Sequence, residues 1–335
     1  MRVDSKIFKL LVALITFSCA AGYASTLSNS KASVLPMAQC LIIDSDSNID
    51  DLRALALLVP LRRVAAVVTT DGMIDAQKGA STIARFLSLM ELPAAKRPAV
   101  VVGRSRAFQS AAAPIWDWME PARADMQTVD EALSSLVTAP VPIIKPQSDS
   151  EVSQAVRQAT KGCSSLGLLV IGPWSSFSSY YHAVRTPWAF VVSQGRSIND
   201  PMDPGWDRVN CHIDMTSCQA ALRTREKGGI IWVDLPGPGS SFPVDVGLFE
   251  QLGQAPGARA LATLMSRVQL RQSQHQWDDM PALYLLEPEA FTRVSNHFQP
   301  RLDCSAMRDL QIALLNQRAI GPLVEPTATP RIKCK

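Results

Sequence analysis

The chain has 335 residues, 47% of them hydrophobic and 19% charged. That balance excludes a disordered, collagen-like or disulfide-scaffold protein and leaves material for a large core. Net charge is +3; without Met1–Ala24, which carries Arg2, Lys6, Lys9 and Asp4, 30 basic residues face 29 acidic ones. So neutral a chain offers no electrostatic grounds for a nucleic-acid partner or an anionic membrane.

The basic start, the apolar run Leu10–Ala21 and the small residues ending Gly22-Tyr23-Ala24 have the arrangement of a secretory signal peptide, cleaved after Ala24. The 12-residue run is too short to cross a bilayer, which needs about 20 residues. A periplasmic or secreted protein is expected, with no membrane attachment once residues 1–24 are removed. A lipoprotein anchor at Cys19 is the weaker alternative, because Thr16-Phe17-Ser18 lacks the usual aliphatic lead. Residues 25–38 read as a spacer rich in serine.

Six cysteines remain beyond the leader: Cys40, Cys163, Cys211, Cys218, Cys304 and Cys334. An even number in an exported chain permits disulfides, of which Cys211–Cys218 and Cys304–Cys334 are the favoured pairs. Buried free thiols are the equal alternative.

From Gln39 onward, short apolar runs alternate with segments of helical periodicity. Cys40–Asp44, Val64–Thr69, Ala99–Val102, Leu166–Ile171, Ala189–Ser193 and Ile230–Val233 read as strands buried on both faces. Between them, Asp50–Leu58, Asp75–Met90, Glu151–Thr160, Ser175–Val184 and Thr216–Lys227 read as helices. The alternation predicts an α/β fold with a Rossmann-like, mostly parallel sheet flanked by helices. The C-terminal third reads as helical, at Ala258–Arg271, Met280–Leu286 and Ala306–Gln317, with no comparable strand. Arg104–Glu120, carrying Phe108, Trp116 and Trp118, and the Pro/Ser-rich Thr138–Ser150 read as surface loops.

The chemistry concentrates in Leu41-Ile42-Ile43-Asp44-Ser45-Asp46-Ser47-Asn48-Ile49-Asp50-Asp51, four carboxylates within eight residues at the end of a strand. Strand alternation sends Asp44 and Asp46 to one side, and Asp50 and Asp51 open the next helix. Carboxylates this close repel one another unless a cation sits among them, and their hard oxygens suit calcium or magnesium. The plain alternative is that Asp50 and Asp51 only cap a helix, with Asp44 and Asp46 in a solvated turn.

Asp44-Ser45-Asp46-Ser47-Asn48-Ile49-Asp50-Asp51-Leu52 resembles the Asp-x-Asp-Pro-Gly-x-Asp-Asp-Ala signature of the inosine-uridine nucleoside hydrolase family. Val67–Gly72 is similar to that family's second strand and glycine turn, and Pro98–Gly103 to its third strand. Ile171-Gly172-Pro173-Trp174-Ser175-Ser176 resembles the Gly-Pro-Leu-Thr-Asn loop, and Val209-Asn210 the Phe-Asn motif. Trp277-Asp278-Asp279-Met280-Pro281 resembles the start of the His-Asp-Pro-x-Ala-x-Ala-Tyr segment. These matches run in order from Gln39 to Phe291, so one domain spans 39–320 with a tail at 321–335.

The resemblance implies a calcium-dependent hydrolase of ribonucleosides that acts on the N-glycosidic bond and releases base and ribose. Asp46, Asp51 and Asp278 would be calcium ligands together with the Ser175 carbonyl. Asp46 would also be the catalytic base, and Asp50 and Asn210 would hold ribose hydroxyls. The partner would be a small nucleoside or ribose-like molecule, and relatives of this fold form homo-oligomers.

Departures from the pattern ring the metal cage. Ser47-Asn48 replaces Pro-Gly, with Asn48 expected to take the turn geometry that glycine supplies. Met73 replaces an asparagine of the ribose pocket, Arg208 a glutamate near the 5′ end of the sugar, and Trp277 the histidine that can protonate a departing base. His275 is the nearest substitute proton donor, but it reads first as a surface helix or loop histidine with no partner visible in the sequence. Ser176 replaces an asparagine and is expected to loosen its loop. These exchanges keep open a catalytically weakened protein that binds a ribose-like ligand, and an anionic substrate anchored by Arg208.

Overall fold

The structure is a computed structural model that describes residues 37–105, 119–197, 209–225, 229–235, 246–270 and 277–319. Runs of Val, Ile and Leu form β1 (Cys40–Ser45), β2 (Val64–Thr69), β3 (Ala99–Val102), β5 (Leu166–Val170), β6 (Trp188–Gln194) and β7 (Ile231–Val233). Such runs bury both faces of a parallel sheet under helices. Among the described residues these join the short strands β4 (Ile143–Ile144), β8 (Phe291–Val294) and β9 (His297–Pro300) in one nine-stranded sheet of order β4-β3-β2-β1-β5-β6-β7-β9-β8. Every pair is parallel except β8 and β9.

The chain lays β2, β3 and β4 on one side of β1, then returns to add β5 on the other. This makes β1/β5 the switch point, where the carboxyl ends of two strands open a crevice. Ile171 N donates to Asp44 O at 2.8 Å across that gap.

Flanking helices are α1 (Ile49–Leu61), α2 (Ala76–Leu89), α3 (Met119–Leu136), α4 (Asp149–Ala159), α5 (Phe177–Tyr180), α6 (Val209–Ile213), α7 (Met215–Thr224), α8 (Val246–Glu250), α9 (Pro256–Met265), α10 (Asp279–Leu286) and α11 (Cys304–Leu315). α1 is buried along almost its whole length. It crosses α9 so tightly that a Cβ on Gly257 would lie 2.1 Å from the Ala56 carbonyl oxygen.

The expected strands form within a residue or so of their predicted ends, and four differences stand out. Met119–Leu136 is a helix whose first two residues fall in the expected loop Arg104–Glu120 and whose remainder carries no sequence assignment, although Met119, Ala122, Met126, Val129 and Leu133 are buried at helical spacing. The segment Ser175–Val184 begins as a 3₁₀ turn at Trp174–Ser176 and continues as a single short helix, α5. The expected loop Thr138–Ser150 contributes a two-residue edge strand, β4 (Ile143–Ile144), and the first residues of α4.

The C-terminal third also contains strands, β8 (Phe291–Val294) and β9 (His297–Pro300), which corrects the all-helical expectation. Their hairpin closes through Ser295 at φ 56°. It escapes detection because an edge strand facing solvent lacks the continuous apolar run of a buried one.

Cys211–Cys218 forms a disulfide, and so does Cys40–Cys163, a pair the spacing gave no reason to favour. Cys304 is disulfide-bonded; Cys334, its expected partner, lies outside the described residues, as does the leader 1–24. Two disulfides fit an oxidising compartment. No described helix is long and apolar enough to cross a membrane.

Candidate functional site

β1 delivers its acids to the crevice by ending there. Asp44, fully buried, accepts from Thr70 Oγ1 at 2.7 Å and from Tyr180 OH at 2.8 Å, so its carboxylate belongs to the scaffold and not to a solvated turn. Ser47 then takes the left-handed conformation at φ 67°, where Asn48 was expected to do so. Asn48 must stay extended, because it is the N-cap of α1 in a capping box with Asp51. Gly79 makes room for the turn: a Cβ there would lie 2.4 Å from Ser47 Oγ.

Asp51 does serve the cap, accepting from Asn48 N at 3.1 Å, from Ser47 N at 3.3 Å and from the Ser45 hydroxyl. Asp50 does not, and its Oδ1 is buried without a hydrogen-bond partner. From the other end of the chain comes Asp278, which sits at the N-cap position of α10 but makes no side-chain capping bond. One carboxylate oxygen from each of Asp50, Asp51 and Asp278 lies within 4.8 Å of the others. Capping therefore explains one of these acids and leaves two unexplained.

Asp46 stands beside this trio, its Oδ2 accepting from Met73 N at 3.1 Å. Two glycines approach it closely: a Cβ on Gly72 would lie 2.3 Å from its Oδ2, and one on Gly172 2.6 Å from its backbone nitrogen. Burial, then the charge of Asp50, pushes Asp46 up to about 7. Burial raises Asp44 to about 7 as well, against the bonds from Thr70 and Tyr180. Asp51 and Asp278 are driven well above the ordinary carboxylate range by burial and then by neighbouring acids, and burial also raises Asp50. Four acids that resist ionising together, one with an orphaned oxygen, fit a hard divalent cation.

No family model and no curated protein matches the sequence. Solved structures do. The inosine-uridine preferring nucleoside hydrolase from Bacillus anthracis superposes with a TM-score of 0.59 at 15% identity, covering 83% of this chain and 99% of that one. The purine-preferring ribonucleoside hydrolase from Gardnerella vaginalis gives 0.56 at 12% identity, over 83% and 98%. The type III effector protein XopQ, complexed with adenosine diphosphate ribose, gives 0.53 at 18%, over 85% and 93%. The chain has the nucleoside hydrolase fold.

Within this nucleoside hydrolase fold the remaining expected residues take definite places. Ser175 is buried in the 3₁₀ turn after β5, and its Oγ donates to Asp214 Oδ2 at 2.7 Å. Asp214 in turn caps α7 by accepting from Ser217 N at 3.0 Å. Four residues before Asp214, Asn210 is buried on α6 and donates its amide to Gln194 Oε1 at 3.3 Å. Met73 is buried beneath the turn that holds Asp46, while Trp277 is 38% exposed. Ser176 tightens its loop rather than loosening it, because its Oγ pairs with Thr70 Oγ1 and accepts from Arg104 N at 2.9 Å. Arg208, His275 and the aromatic segment 106–118 lie outside the described residues.

Sequence reasoning missed Arg53, Asp279 and Gln311, which join behind the acids. The Arg53 Nε and an NH2 group grip Asp279, and Gln311 Nε2 donates to Asp279 Oδ1 at 2.7 Å. A signal was available: Arg53 is the one charged residue in the otherwise apolar stretch Leu52–Val59.

Proposed function

We propose that this protein hydrolyses the N-glycosidic bond of ribonucleosides with the help of one calcium ion, in the periplasm or outside the cell. The observation that carries the reading is the convergence of Asp50, Asp51 and Asp278 beside Asp46, with Asp50 Oδ1 unpartnered, at the switch point of a nucleoside hydrolase fold.

Asp46, Asp51 and Asp278, with the Ser175 carbonyl, would hold the ion. When bound, it supplies Lewis acidity that orients the ribose diol and acidifies the attacking water. Asp46, pinned by Met73 N and the two glycines, takes the proton of that water. Asp50 offers its free oxygen to a ribose hydroxyl, and Asn210 reaches for another. The carboxylates together favour the positive charge that builds on the ribose as the bond to the base breaks. No nucleophilic side chain is needed, because water attacks directly.

The test is release of base from inosine and uridine by the mature protein, with calcium and with chelator. Calcium-dependent release is expected, and Asp46→Asn should lower it by about 10³-fold or more, the scale of general-base loss added to a weakened cage. A second reading, a binding protein with weakened turnover, is favoured by Trp277, which cannot donate an acidic proton to a leaving base. Saturable nucleoside binding without release would establish that second reading instead.

A further inference from the structure

Behind the candidate cage lies an ion pair that this mechanism leaves unused. Arg53, 1% exposed, sends its Nε to both Asp279 oxygens at 3.1 Å and an NH2 group to Oδ2 at 2.9 Å. Gln311 secures the same carboxylate from α11. A buried pair of this kind gives little stability beyond what apolar residues of equal volume would supply. Stability therefore does not account for an arginine inside an apolar helix or for the buried aspartate that faces it.

Placement does account for it. Arg53 lies two residues after Asp51 on α1, and Asp279, the first residue of α10, follows its N-cap Asp278 directly. A single bidentate contact, spanning 226 positions of sequence, thus joins the two segments that supply the trio. A guanidinium fork fixes orientation as well as distance, which a point charge does not. Its charge also reaches the acids, since Arg53 acts on Asp50 against the effect of burial.

We propose that Arg53 and Asp279 are positioning residues for the metal: their pair clamps Asp278 against Asp50 and Asp51, and the guanidinium offsets part of the repulsion among the three, so the cage stands assembled before an ion arrives. This rests on the metal site of the preceding section and adds the device that holds it together.

The test uses the mature protein and a variant, Arg53→Leu/Asp279→Leu, that removes both charges at once. It leaves the net charge unchanged and no ion stranded in the core. Calcium chloride is titrated calorimetrically into each chelator-treated protein, and thermal unfolding with and without calcium shows that each is folded. The variant should unfold cooperatively yet bind calcium at least tenfold more weakly, with a smaller gain in melting temperature. Should it fail to fold, Arg53→Lys, which keeps the charge and loses the fork, carries the same expectation of at least a tenfold loss. Calcium binding equal to wild type in the folded variant overturns the clamp alone. Failure of the wild-type protein itself to bind calcium overturns the clamp together with the metal site, so the two failures are distinguishable.

Discussion

Gly72 faces Asp46 so closely that a Cβ on the glycine would lie 2.3 Å from the Asp46 Oδ2 and 2.4 Å from its Cβ. The crowding atom belongs to the proposed base, whose backbone nitrogen is itself closely approached by Gly172. Gly72→Ala must therefore push Asp46 out of place. A displacement on the order of 1 Å at a reacting group is worth about 10²-fold in rate. The variant should lose nucleoside cleavage by roughly that factor while its circular dichroism stays that of the wild type. Unchanged kcat would show that Asp46 is not the base.

The acids also set a pH dependence. Asp44 and Asp46 sit at about 7 in the ion-free fold against an ordinary 3.8, because burial disfavours their charged forms. The folded state then holds protons that the unfolded chain gives up, and the stability they contribute is complete below pH 3.8 and lost as pH rises through 7. Chelated protein should melt at falling temperature as pH climbs through this window. In the proposed site, bound calcium would supply the counter-charge that Asp46 and its neighbours lack, so the melting-temperature gain on adding calcium should widen with pH, and binding should release protons. A calcium gain that stays flat across the window would contradict this.

Tyr180 tests the scaffold separately from the chemistry. Its hydroxyl donates to Asp44 Oδ2 at 2.8 Å, and both groups are buried. Tyr180→Phe removes the donor and leaves a buried carboxylate oxygen unserved, a loss of about 1–3 kcal/mol. Urea unfolding should show that loss, with calcium affinity retained because Asp44 lies outside the cage.

The Cys40–Cys163 disulfide ties the start of β1 to the turn before β5, across 123 positions. Closing so long a loop restricts the unfolded chain more than the seven-position loop of Cys211–Cys218 does. Cys40→Ala/Cys163→Ala should lower the unfolding free energy by about 2–5 kcal/mol, and Cys211→Ala/Cys218→Ala by less, as measured by denaturant titration. Equal losses would place the effect of the first bridge in local packing.

The parallel sheet was legible because its strands are buried on both faces and so must be apolar throughout, as Leu166–Val170 is. Asp46, Asp50 and Asp51 were legible because they crowd one turn. The β8–β9 hairpin was not, since residues such as Thr292 and Arg293 face solvent and carry no apolar run. α3 carries a readable stripe from Met119 to Leu133, but its first two residues fall in the expected loop Arg104–Glu120 and its end abuts the expected loop Thr138–Ser150.

What the sequence determined by itself is local: the order of strands and helices, and the acids that neighbour one another along the chain. Asp278 was pointed to by the resemblance and by no local pattern; its meeting with Asp50 and Asp51, the oxygen that stays unpartnered and the left-handed residue that shapes the turn were decided by the tertiary fold. Apolar and charge patterns record the environment of each residue, but the meeting of α1 with α10 through Arg53 and Asp279 depends on how whole helices pack, and packing couples positions that no local pattern connects.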